Sequence, residues 1–193
     1  VLSDAAMSGG KAVFLDLNGT LVMPISAESP QDFIELPGAR QAVRRLVLAG
    51  FICPVITVQS RIAKGIYSQG QFNDWFARFQ ADWASDGAVL SGPYVCPHRF
   101  YSGCNCAKPQ PALYLQACRE LHLDPCQSFV IGDSAADVFA ATNIGARGCL
   151  VLTGNGCKDR DDCEHEAFVV GDSIHEVVER LLEPTELYKG TRR

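Results

Sequence analysis

A chain of 193 residues that is 47% hydrophobic holds enough apolar material for one buried core, which excludes disorder as the starting expectation. Its formal net charge of -5, with no local cluster of Lys and Arg, excludes the electrostatic footprint of a nucleic-acid-binding protein. The longest apolar runs, Ala12 to Leu15 and Cys149 to Leu152, are far too short to cross a bilayer, and no basic-then-apolar leader opens the chain, so the expectation is a cytoplasmic monomer without a membrane partner.

Residues 12–15 form a short β-prone run ending at Asp16 and a Gly-Thr turn, which predicts a buried strand delivering a loop. After Pro37-Gly38, apolar residues at helical spacing (Ala39, Val43, Leu46, Val47) predict a helix over 37–49 that stops at Gly50. A second strand runs from Phe51 to Thr57, although Pro54 is awkward in a central strand. A helix is then expected around 68–83, an extended segment over 87–95, a helix over 109–122 and a third strand from Ser128 to Ile131 that ends at Gly132-Asp133. A helix over 135–144, a strand from Gly148 to Leu152, a weaker strand at 167–170 and a helix at 173–182 complete the series, with a frayed tail from Pro184 to Arg193. Strands alternating with helices predict an α/β fold, a three-layer Rossmann-like parallel sheet with helices on both faces and function at the carboxyl ends of the strands. No linker interrupts it, so residues 1–193 are expected to form a single domain.

Polar residues fall where that rule places a site. Asp16 follows the first strand on a turn whose amides can face an anion, and a carboxylate there could serve as nucleophile or metal ligand. Taken alone, Asp16-Leu-Asn-Gly-Thr is also an ordinary strand-to-turn sequence. Three further signals follow in order: Thr57 at a strand end, Lys108 before a helix, and Asp133 with Asp137 after another strand. Phosphoryl transfer needs such a set. Asp16 would attack phosphorus and, with Asp133, hold Mg2+, while Thr57 would donate a hydrogen bond and Lys108 a positive charge. Asp137 lies one helical turn beyond Asp133, aimed at Lys108 or a metal-bound water.

Nine Cys is an odd count with uneven spacing, a poor disulfide framework. Cys53, Cys118, Cys126 and Cys149 lie in apolar segments and are expected to be small buried hydrophobes, while Cys157 and Cys163 lie in a polar stretch and are expected to be exposed spare thiols. Cys96 with His98, and Cys104 with Cys106, make two chelating pairs in a loop at 96–106 and suit a closed tetrahedral Zn2+ site. Reduced free thiols on a loop are the plainer alternative. His122 and His165 have no such neighbours and are expected at the surface or satisfied.

In this order the strand-end signals resemble the four motifs of the haloacid dehalogenase superfamily. Thr57-Val-Gln-Ser-Arg-Ile-Ala-Lys-Gly is similar to the Thr-Asn-Gln-Ser-Gly-Ile-Ala-Arg-Gly segment of the D-glycero-D-manno-heptose bisphosphate phosphatase family, which includes histidinol-phosphate phosphatases. Cys96-Pro-His and Cys104-Asn-Cys-Ala-Lys-Pro resemble that family's zinc loop and the Lys-Pro motif behind it. The resemblance covers roughly residues 11–182. It implies a compact fold with little cap, an aspartyl-phosphate on Asp16, Mg2+ at Asp16, the Asn18 backbone carbonyl and Asp133, and phosphate at Thr57, Val58 and Lys108. A small phosphorylated substrate follows, such as the sugar phosphate D,D-heptose 1,7-bisphosphate.

The chain departs from that pattern in four places. Asn18 stands where the family has Asp, the carboxyl that protonates the leaving group and later activates water; an amide cannot do that work. Val58 replaces Asn, Ala107 replaces Arg and Ser134 replaces Lys, which removes contacts that recognise substrate. Two alternatives remain: a catalytically impaired phosphate-binding or regulatory protein, and a metal-free dehalogenase, against which Asp133 argues. Asn18 precedes Gly19, a pair prone to deamidation.

Overall fold

A computed structural model describes residues 9–99 and 102–183. The tail expected to fray, from Pro184, lies outside the described residues. Strand β1 (Val13–Leu15) is fully buried because it has neighbours on both edges and helices on both faces. Its residues alternate between two cores: Val13 and Leu15 enter one hydrophobic cluster and Phe14 the other. A two-stranded antiparallel ribbon follows, β2 (Val22–Met23) with β3 (Ile34–Glu35), joined through a 3-10 turn at Pro30–Asp32. No apolar periodicity announces strands that short.

Helix α1 (Ala39–Leu48) buries Ala39, Ala42, Val43 and Leu46, the spacing of one helical face. Strand β4 (Pro54–Val58) begins at Pro54, and its register with β5 (Ser91–Cys96) shifts between Pro54 and Ile56. A proline at the first residue of a strand, beside an irregularity, removes no regular ladder hydrogen bond, which resolves its awkwardness. Short α2 (Ser60–Ala63) leads to α3 (Gln69–Ser85), which opens on a capping box from Ser68 and Gln71. The remaining elements are α4 (Ala112–Leu121), β6 (Phe129–Gly132), α5 (Ala135–Ile144), β7 (Arg147–Val151), α6 (Gly156–Cys163), β8 (Val169–Gly171) and α7 (Ile174–Leu182).

The six long-range strands make one parallel sheet in the order β5-β4-β1-β6-β7-β8. Residues of α1, α3 and α7 fill the cluster on one face, and those of α4 and α5 the cluster on the other. Chain order reverses at β1, between β4 and β6, so a crevice opens at the carboxyl ends of these three strands. The ribbon is anchored at its far end by Arg40, which pairs with Glu35, Asp82 and Asp86, and by Trp83, which donates to Glu35 at 3.0 Å.

Three cysteine expectations need correction, the mildest being Cys118, expected buried but half-buried on α4. Cys163 is 1% exposed, because the polar stretch expected to be a loop is α6, whose inner face packs Cys163 beside Val138 and Leu150. Cys126, expected buried, is exposed on a 3-10 turn that precedes β6. Cys157 is exposed, as expected.

Candidate active site

Asp16 leaves β1 with its backbone amide donating to Ile131 of β6 at 2.9 Å, so its position is fixed by the sheet. Lys108, on the segment between β5 and α4, donates to Asp16 Oδ1 at 2.5 Å and to Asp137 Oδ1 at 2.6 Å. These side chains are only 6%, 9% and 2% exposed for Lys108, Asp16 and Asp137. Asp137 is further held by the Ser134 hydroxyl at 2.5 Å. Of the two roles expected for Asp137, the structure shows the contact with Lys108.

Asp133, at the end of β6, accepts from the Asn155 backbone amide at 2.7 Å and from the Asn155 side chain at 3.3 Å. It lies in a cradle of two glycines. Gly19 and Gly154 both have positive φ, and a Cβ on either would overlap the Asp133 carboxylate. Thr153 closes this wall by donating to the Gly19 carbonyl at 2.6 Å. The resulting electrostatics are unbalanced. Burial, opposed by Lys108, raises the Asp16 carboxyl above the usual carboxylate range. Burial and then repulsion from Asp16 and Asp137 raise Asp133 likewise. Burial also works against the charge on Lys108, but Asp137 and Asp16 outweigh it and hold the ammonium well above its ordinary range. One ammonium among three carboxylates leaves negative charge uncompensated, and two of those carboxylates, Asp16 and Asp133, end adjacent central strands. An all-oxygen donor set of that charge fits a hard divalent cation such as Mg2+.

Asn18 faces the other strand end. Its Oδ1 accepts from Gln59 Nε2 at 2.6 Å and from the Thr57 hydroxyl at 3.4 Å, and its Nδ2 donates to the Pro24 carbonyl at 3.5 Å. Gln59 also donates to Thr57 Oγ1 at 2.9 Å and accepts from the buried Tyr67 hydroxyl at 2.7 Å. Val58 closes β4 opposite Cys96 and packs on the same core cluster as Cys104 and Cys106. Gln59, Tyr67 and Asn155 are site residues that the sequence does not point to, and Ser134, known from the sequence only as a replacement for Lys, gains a role as the partner of Asp137. Gln59 lies inside the quoted Thr57 segment and could have been found there, whereas nothing local marks Asn155.

The thiol loop stands apart from this acidic set. Cys96, the last residue of β5, has its sulfur 3.7 Å from that of Cys104 and 3.2 Å from that of Cys106. His98 Nδ1 lies 3.6 Å from Cys96 Sγ and 3.1 Å from Cys106 Sγ. All four ligand atoms fall within 4.8 Å of one another. Zn–S bonds of about 2.3 Å in a tetrahedron give edges of roughly 3.8 Å, so the cluster is near the size that zinc requires. Among the described residues no helix is long and apolar enough to cross a membrane.

Comparison with known proteins gives concordant results. The HAD-hydrolase-like family profile matches residues 105–181. A D-glycero-beta-D-manno-heptose-1,7-bisphosphate 7-phosphatase from Haemophilus ducreyi is 34% identical over 183 residues, covering 88% of this chain and 97% of the relative. Its counterpart from Photorhabdus laumondii is 35% identical over 179 residues, covering 86% and 92%. Among solved structures, a D,D-heptose 1,7-bisphosphate phosphatase from B. bronchiseptica, complexed with magnesium and phosphate, has a TM-score of 0.81 at 31% identity and covers 89% of this chain and 98% of that one.

Proposed function

The chain belongs to the D-glycero-beta-D-manno-heptose-1,7-bisphosphate 7-phosphatase family of HAD-like hydrolases, and we propose that it transfers the phosphoryl group of a small sugar phosphate to Asp16 as the first step of a phosphatase reaction. The observation that carries this reading is the convergence of Asp16, Lys108, Asp137 and Asp133 at the carboxyl ends of β1 and β6. Asp16 is the nucleophile: it is fixed by its backbone, and Lys108 holds its carboxylate in place before substrate arrives. The ammonium of Lys108, the hydroxyl of Thr57 and the amides of the turn and of Val58 receive the phosphate oxygens. Asp137, itself held by Ser134, keeps Lys108 charged and aimed.

Asp16, the Asn18 backbone carbonyl and Asp133 would hold Mg2+, which would neutralise phosphate oxygens as they approach two carboxylates. Zn2+ fits Cys96, His98, Cys104 and Cys106 as a structural ion that orders the loop leading into Lys108. Free thiols in this number suit a reducing compartment, which supports a cytoplasmic setting. The heptose bisphosphate named for the relatives is the first substrate to try, but Val58, Ala107 and Ser134 alter the surroundings of the phosphate, so other sugar phosphates belong beside it. The test is a panel of sugar phosphates with Mg2+, using this chain, Asn18→Asp and the double variant Asn18→Asp with Asp16→Asn. Phosphate release by Asn18→Asp that the double variant lacks supports the reading. Release that persists in the double variant overturns it.

A further inference from the structure

The short helix that follows β4 carries a cation, Arg61, that takes no part in holding the scissile phosphate. Arg61 stands on α2 two residues beyond Gln59, whose side chain donates to Thr57 at 2.9 Å. Its own side chain crosses to the connection between β2 and β3, where Nη1 meets the Glu28 carboxylate at 3.0 Å and Nη2 lies 3.5 Å from the Ser26 carbonyl. Burial pushes the Tyr67 hydroxyl up to about 12, and the charge on Arg61 opposes that shift. Tyr67 in turn donates to Gln59 at 2.7 Å. The guanidinium thus stands beside the group of side chains that closes the end of β4, at the edge of the crevice.

The pairing that Arg61 makes is incomplete. Its Nε is buried without a hydrogen-bond partner, and the carboxylate on Nη1 belongs to a Glu28 side chain that is 70% exposed. An ion pair with so exposed a partner contributes little to stability, so another anion can take its place at small cost. A guanidinium presents its donors as a fork that grips two oxygens of one phosphate or carboxylate, and the Nε edge of this fork is unused. The charge is also new in its position. Gly stands at this point in the Thr-Asn-Gln-Ser-Gly-Ile-Ala-Arg-Gly segment of the family, while Ala107 takes a cation away from the segment that carries Lys108. Lys108 and Thr57 serve the phosphate that Asp16 attacks, which leaves Arg61 for a different anion. We propose that Arg61 is a specificity-determining residue: it exchanges Glu28 for a second oxyanion, a phosphate or a carboxylate, that the substrate carries away from its scissile phosphate. The inference rests on the reading of these strand ends as a phosphatase site.

The test is calorimetric binding of three probes to the intact chain, with and without Mg2+: fructose 6-phosphate, fructose 1,6-bisphosphate and 6-phosphogluconate. The first has no second anion, the second a second phosphate and the third a carboxylate. The unmodified chain is compared with Arg61→Met, Arg61→Lys and Glu28→Gln. The expected result is that Arg61→Met weakens binding of a doubly charged probe by about tenfold or more, the contribution of a hydrogen bond to a charged group, and leaves fructose 6-phosphate unchanged. Arg61→Lys should recover part of the loss, and Glu28→Gln should bind the doubly charged probes at least as tightly as the unmodified chain does. Whichever of the two loses more in Arg61→Met identifies the oxyanion. If Arg61 merely clasps the β2–β3 connection, Arg61→Met and Glu28→Gln will weaken all three probes alike. That result, or no preference of the unmodified chain for a doubly charged probe, overturns the inference, while Mg2+-dependent binding of fructose 6-phosphate upholds the phosphatase reading. Binding of all three that is absent or ignores Mg2+ overturns that reading, and the inference with it.

Discussion

Lys108 reaches Asp16 across 92 residues of sequence and Asp137 across 29, whereas Cys106 meets Cys96 across only 10. The acidic site is therefore a product of the whole sheet: its carboxylates are set by the ends of β1 and β6, and its buried ion pairs form when those strands align. The thiol loop is local, and only Cys96 belongs to a strand. The stretch from His98 to Cys106 carries too few apolar residues to fold by burial alone. The two regions answer differently to damage. Changes in the first should register in chemistry and global stability, and changes in the second in local order and metal content.

The largest effect is expected from Asp16→Asn, which should eliminate covalent phosphoryl transfer altogether while leaving far-ultraviolet circular dichroism unchanged. A residual label on another residue would break the distinction between positioned and incidental carboxylates. Next, Asn18→Asp should raise turnover of an alkyl phosphate by about a hundredfold to ten-thousandfold, measured as phosphate release at saturating substrate. A rise confined to KM would show that position 18 acts in binding.

Lys108→Met tests stability. It removes one partner from two buried ion pairs and should cost about 3–5 kcal/mol in denaturant unfolding near neutral pH. That cost should shrink as pH falls. Without Lys108 the folded-state pKa of Asp16 rises further above its unfolded value, so the folded state binds the additional protons and acid favours it. The smallest effect is expected from Cys104→Ser in the zinc-loaded protein: loss of the metal by elemental analysis and of amide protection in the loop, with a global cost of about 1 kcal/mol, or about 2–4 °C in Tm for a chain of this size. An unfolding midpoint that collapses instead would mean that the loop supports the core.

Sequence made the central strands and long helices legible because they are apolar at the right period. Asp16, Lys108, Asp133 and Asp137 were legible because strand ends in a parallel sheet point to one crevice. The β2–β3 ribbon and α6 were not: the ribbon strands are two residues each, and α6 carries Lys, Arg and Asp over an inner face of little more than Cys163. The same limit hid Asn155. Its shorter bond to Asp133 comes from its backbone amide, which any residue but proline can supply, and only the longer one uses its side chain. Tyr67 was hidden for a different reason, since its hydroxyl matters through Gln59, and no sequence spacing records a contact relayed through a second side chain.

Binding of beryllofluoride, a mimic of a phosphoryl group on a carboxylate, followed by calorimetry with and without Mg2+, tests the acidic site most directly. The unmodified chain and Asn18→Asp should each bind one equivalent only when Mg2+ is present, because neither the metal position nor the phosphate position uses the side chain at 18. Asp133→Ala should lose that binding. Equal binding by Asp133→Ala, or binding that ignores Mg2+, would contradict the assignment of Asp16 and Asp133 as one phosphoryl-transfer centre.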